Sequence, residues 1–160
     1  MKVITWNRDN GLAQFEGMTF VITCNVRNEL NGLRKLHLKS EVVNTVVNGQ
    51  WGPPYMPRRF PKGEWKITGI EPAKEKDFFP LKIKTNAHQM VETWNLDAQG
   101  GYDKPTGKQV DDSGYHLHWS EGSQTTLGCG RVESAKQAVI LAALIWQAFD
   151  RKEEVVIKVV

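Results

Sequence analysis

The chain predicts a mainly β fold with one buried helix near the C-terminus and a last strand after it. Three features predict this. Short β-favouring runs separated by turn clusters fill the first two-thirds of the sequence. A single long apolar stretch follows a helix-start signal at Ser134, and the chain closes on the β-branched run Val155 to Val160.

The strand candidates are Lys2 to Trp6, Met18 to Val26, Glu41 to Val47, Glu64 to Ile70, Leu81 to Lys84, Tyr115 to Trp119 and Val155 to Val160. Asn31-Gly32 and Asn48-Gly49 are turn signals, because these pairs accept the positive φ that tight turns need. Ser134-Ala135-Lys136-Gln137 reads as a capping box. The Ser134 hydroxyl accepts from the third helical N–H, and Gln137 reaches back. From Ala138 to Phe149 the residues are apolar nearly all the way round, which predicts a largely buried helix. Residues 86 to 112, rich in Gly, Asp, Gln and Lys, read as a long surface loop of the kind that often serves as a binding lid. No repeat or linker composition divides the 160 residues, so one domain over 1–160 is expected.

With 40% hydrophobic and 24% charged residues, the composition excludes disordered and collagen-like classes. The net charge of +3, from 21 basic and 18 acidic residues, is too small to indicate nucleic-acid binding without a basic stripe. Met56 to Lys62 is the nearest approach to one, and prolines break it. Mild basicity also suits an acidic polymer. The apolar run Ala138 to Ile145 is too short to span a bilayer. The opening residues lack the features of a secretory signal, so synthesis in the cytoplasm is expected, with any work outside it reached by a non-classical route.

Two cysteines make no disulfide framework, although one bridge stays open. Cys24 lies in an apolar strand-like run and reads as a small core residue. Cys129 sits between Gly128 and Gly130 in a polar loop, where packing gives a thiol little reason to be. Upstream, His116 and His118 alternate with Tyr115, Leu117 and Trp119, which sets the two imidazoles on one face of a strand. A thiol becomes a useful nucleophile when an imidazole or a helix N-terminus favours the thiolate, and both are near in sequence. Either histidine fits the role of base. A metal site or a hydrogen-bonded strand is the other reading of such a pair. No CxxC, HExxH or third clustered ligand supports the metal, and no cofactor is expected.

Thr126-Leu127-Gly128-Cys129-Gly130-Arg131, preceded by a strand histidine, resembles the signature of L,D-transpeptidases: serine or threonine, histidine, glycine, cysteine, an apolar residue, arginine. It departs at Leu127, where most members carry histidine, and at Gly130. The short interval from His118 to Cys129 is similar to that of compact phage and toxin relatives. Phe60-Pro61-Lys62-Gly63-Glu64-Trp65 resembles the family's proline–glycine–aromatic strand.

The resemblance implies a sandwich or sheet of L,D-transpeptidase type, and a transferase or hydrolase acting on the stem peptides of peptidoglycan. It implies that Cys129 attacks a peptide carbonyl to form a thioester while His118 takes and returns the proton. Backbone N–H groups at Gly128 and Cys129 would hold the oxyanion, and Arg131 would hold a substrate carboxylate. His116 would supply the partner lost at Leu127. Thr126, Ser123 and Trp119 would line the substrate site, with Trp51, Trp94 and Tyr102 as further groove candidates. A module that keeps the fold and only binds cell wall, as in a phage structural protein, is the competing expectation.

Overall fold

The computed structural model describes residues 1–24, 59–73, 79–96, 102–119 and 128–160, with residues 91–96 and 102–110 described by backbone alone. The predicted strand over Glu41 to Val47, both Asn-Gly turns and Trp51, Ser123, Thr126 and Leu127 lie outside the described residues. The chain forms two compact units. One comprises residues 1–25, 59–87 and 113–160, and the other residues 26–58 and 88–112.

In the first unit, β1 (Lys2–Asn7), β2 (Leu12–Phe15) and β3 (Met18–Thr23) run as a meander. After them come β4 (Gly63–Pro72) and β5 (Leu81–Thr85), and β8 (Leu117–His118) and β9 (Gly130–Val132) lie further along the chain. The helix α1 (Ala135–Asp150) and the strand β10 (Val155–Val159) complete the unit. The strands close in the order β1-β10-β4-β5-β8-β9-β3-β2. The mainly β class with a C-terminal helix and final strand is therefore as expected. The sandwich is not shown, because the strands close into a barrel. Closure joins the last strand to the first, with β10 parallel to β1 over the pairs from Lys2↔Val155 to Trp6↔Val159.

Alternation along each strand fills the interior. Ile4, Trp6, Ala13, Phe20, Ile22, Ile83, Leu117, Val132, Val155 and Ile157 belong to one buried cluster. Fully burying one such aliphatic or aromatic side chain contributes about 1.5–3 kcal/mol. Phe60 meets Trp6 and Tyr115 edge-on, with ring centroids 5.1 and 5.7 Å apart, an arrangement that the ring quadrupoles favour. The Trp6 indole N–H donates to the Ile22 carbonyl at 2.9 Å, so this large ring is buried without an orphaned donor.

Ser134 caps α1 as its sequence predicts, its hydroxyl accepting from the Gln137 N–H at 3.1 Å. The reciprocal half of the box differs. The Gln137 side chain accepts from the Val21 N–H at 3.3 Å and donates to Glu133 at 3.1 Å, so it ties the helix start to β3. Ala138, Leu141, Ala142, Ile145 and Ala148 are buried, whereas Val139 and Trp146 are 46% and 54% exposed. The helix thus buries one face rather than nearly its whole circumference. No helix among the described residues is long and apolar enough to cross a membrane.

Within the second unit, β6 (Gln89–Leu96) and β7 (Tyr102–Asp112) form a two-stranded antiparallel sheet. The long loop predicted over residues 86–112 is therefore corrected to a hairpin. Val91, Thr93 and Trp94 supply strand preference that the surrounding Gly, Asp and Lys conceal in the sequence. Pro105 stands opposite Trp94 where the register shifts on either side, a place where a ladder tolerates proline.

Candidate functional site

The register of five adjacent strands decides which sequence-predicted residues share a face. β4 pairs Ile70 with Ile83 and Glu71 with Lys82. β5 then pairs Ile83 with Leu117 and Lys82 with His118. β8 and β9 run parallel, pairing Leu117 with Gly130 and His118 with Arg131, and β3 pairs Thr23 with Arg131. Two rows result. Ile70, Ile83, Leu117 and Gly130 form an apolar one directed to the core. Glu71, Lys82, His118, Arg131 and Thr23 form a polar one on the opposite side. Alternation adds His116 and Cys129 to the polar side.

The interior row accounts for glycine at position 130. A Cβ on Gly130 would stand 2.6 Å from Leu117 Cδ2, 2.9 Å from Ile22 Cγ2 and 3.0 Å from Trp6 Cη2. Those three side chains already occupy the space that an apolar residue would fill. The close approach also seats β9 against β8, where the Gly130 N–H donates to the His116 carbonyl at 2.9 Å.

Cys129 stands where β9 begins, at intermediate exposure, whereas Cys24 is fully buried in the core as the sequence predicts. Neither is in a disulfide. The Cys129 thiol donates to the Gly114 carbonyl at 3.6 Å, and the His116 backbone N–H donates to the sulfur at 3.5 Å. The sulfur therefore both donates to a carbonyl and accepts from an N–H. Both flanking loops use a conformation suited to glycine, with φ 89° at Gly114 and 118° at Gly128.

Hydrogen-bond logic distinguishes the two imidazoles. His118 Nδ1 lies 3.3 Å from the Trp119 carbonyl, which only accepts, so a hydrogen bond there requires the proton on Nδ1 and leaves Nε2 as the acceptor nitrogen. For His116 the polarity is reversed. The Thr85 backbone N–H, which only donates, points at His116 Nδ1 from 3.4 Å, so this Nδ1 is the acceptor. Burial, then the charges of Lys82 and Lys84, then His118 push the His116 imidazole down to about 4. Its ring is neutral at pH 7 with the proton on Nε2. His118 itself is 5% exposed.

Arg131 is partly buried beside His118 in the register, and Trp119 packs partly against the core. The side chains of Trp94 and Tyr102 lie outside the described residues, like Ser123 and Thr126. Lys82, Lys84 and Glu71 were missed in the sequence. Lys84 and Lys82 meet Glu71 at 3.0 and 3.9 Å and line the face beside the histidines. Their signal was the alternation Leu81-Lys82-Ile83-Lys84, which puts both lysines on one side of a strand.

Arg59 serves structure in the basic stretch that composition singled out. It holds Asp9 at 2.6 Å and donates to the Arg8 carbonyl at 2.7 Å, and its hydrogen bond keeps the Asp9 carboxyl below the usual range. The exposed His88 sits 3.0 Å from Asp111 in the second unit. Among the described residues, no group of three or more His, Cys, Asp or Glu side chains is gathered to hold a metal ion. Compared with family models, with curated proteins and with solved structures, the chain matches none.

Proposed function

We propose that the protein is a cysteine-dependent acyl-transfer enzyme of L,D-transpeptidase type acting on peptidoglycan stem peptides, with Cys129 as nucleophile and His118 as base. One observation carries the reading. Cys129, His116, His118 and Arg131 share the polar side of the parallel β8–β9 pair, and His118 Nδ1 lies 3.3 Å from the Trp119 carbonyl, which leaves Nε2 as the nitrogen suited to act as base.

The chemistry balances with these groups alone. His118 Nε2 takes the thiol proton, the sulfur attacks a peptide carbonyl, and backbone N–H groups near Gly128 and Cys129 hold the oxyanion. The C–N bond breaks as the proton passes from His118 to the leaving amine, which leaves a thioester on Cys129. A second stem amine or a water resolves that thioester, giving a cross-link or a trimmed stem. Arg131 offers a planar guanidinium to a substrate carboxylate.

Leucine at position 127, in place of the family's histidine, favours a second reading: a cell-wall-binding module that keeps the fold without turnover. Incubation with purified sacculi followed by mass spectrometry of the released muropeptides separates the two. The enzyme yields new cross-links or shortened stems that disappear in Cys129→Ala. A binder co-sediments with sacculi and leaves the muropeptide profile unchanged, which would sink the catalytic reading.

A further inference from the structure

The side of the barrel that carries Cys129 holds a second imidazole which the proton-transfer scheme does not use. His116 precedes β8, and its carbonyl and N–H are both engaged by the Cys129–Gly130 segment, so its backbone is fixed from the β9 side. Its ring is fixed from the other side, where Thr85 at the end of β5 donates to Nδ1 at 3.4 Å. The two nitrogens of an imidazole point in nearly opposite directions. In the strand order β5-β8-β9, a ring whose Nδ1 faces β5 turns Nε2 toward β9, where Cys129 stands.

We infer that His116 is a fixed, uncharged hydrogen-bond donor whose Nε2–H is presented to an oxygen of the acyl substrate bound at Cys129. This supplies in one side chain the polar partner that leucine at position 127 does not. The assignment rests on the acyl-transfer reading for its substrate, but the state of the ring is a property of the fold alone. The charged and titratable groups around the ring support it. Lys82 and Lys84 on β5 and His118 on β8 disfavour a cation at His116, and Glu71 on β4, which alone favours one, is shared with both lysines. A proton arriving on Nδ1 would also break the bond from Thr85.

Two measurements on the full chain test this. In nitrogen NMR of the histidine side chains, His116 is expected as the Nε2–H tautomer at pH 7 and still uncharged at pH 5.5, whereas His118 is expected as the Nδ1–H tautomer. An Nδ1–H tautomer at His116, or a charged ring at pH 5.5, overturns the inference whether or not the protein is an enzyme. In the second, the rate at which a carbapenem acylates Cys129 is compared across variants. His116→Leu is expected to slow acylation on the order of 100-fold, and His116→Gln, which keeps an N–H donor near the same place, to recover most of that loss. Equal rates for the wild type and His116→Leu overturn the donor role. Should His116→Leu fail to fold, the tautomer measurement on the wild type decides the question. Failure of the wild type itself to react counts against the acyl-transfer reading and leaves the ring assignment to the NMR result.

Discussion

The barrel contains two parallel strand pairs, and they are built differently. β1 and β10 stay in register over five pairs, and Ile4, Trp6, Val155, Ile157 and Val159 are buried along them. β8 and β9 match over only two pairs, Leu117↔Gly130 and His118↔Arg131. The first pair closes the barrel. In the second, the paired residues offer only Leu117 and Gly130 to the interior, and the other side is left to histidine, arginine and the thiol just before β9. On their outer sides β8 pairs with β5 and β9 with β3, which adds further ladder bonds to the two short strands.

Substitutions in the two pairs should therefore separate stability from reactivity. The largest loss of stability is expected from Ile157→Ala in the closing pair, where a fully buried side chain is removed; large-to-small changes of this kind cost about 2–5 kcal/mol. Denaturant unfolding measures it, and the folded fraction should keep its wild-type rate of reaction at Cys129. A smaller loss is expected from Gly130→Ala, where a methyl group meets three core side chains at 3.0 Å or less; overpacking costs about 1–3 kcal/mol. Here the reaction at Cys129 should slow as well, because relief of the clash moves β9 away from β8. A Gly130→Ala protein with unchanged stability and unchanged reactivity would break the comparison.

The closing pair was legible in the sequence and the site pair was only half so. Lys2 to Trp6 and Val155 to Val160 announce themselves by β-branched content and alternation, and both form strands. Tyr115 to Trp119 was also readable as a run, yet only Leu117 and His118 pair. No local pattern reveals β9, whose three residues become a strand through long-range partners on β3 and β8. The same limit applies to the imidazoles. Alternation placed His116 and His118 on one side, but which nitrogen of each carries the proton depends on Thr85, 31 residues away from His116, and on the Trp119 carbonyl. Gly130 belongs to a polar loop as far as the sequence goes, and the crowding that requires glycine there comes from Leu117 and, far earlier in the chain, from Trp6 and Ile22.

Cys129 is the proposed nucleophile, and the fully buried Cys24 provides an internal control. Exposure of the purified protein to a carbapenem, followed by intact-mass measurement and peptide mapping, tests it most directly. One acyl adduct is expected, mapped to Cys129 and absent from Cys129→Ala. No adduct under conditions that label a known L,D-transpeptidase, or an adduct that maps to Cys24, would contradict it.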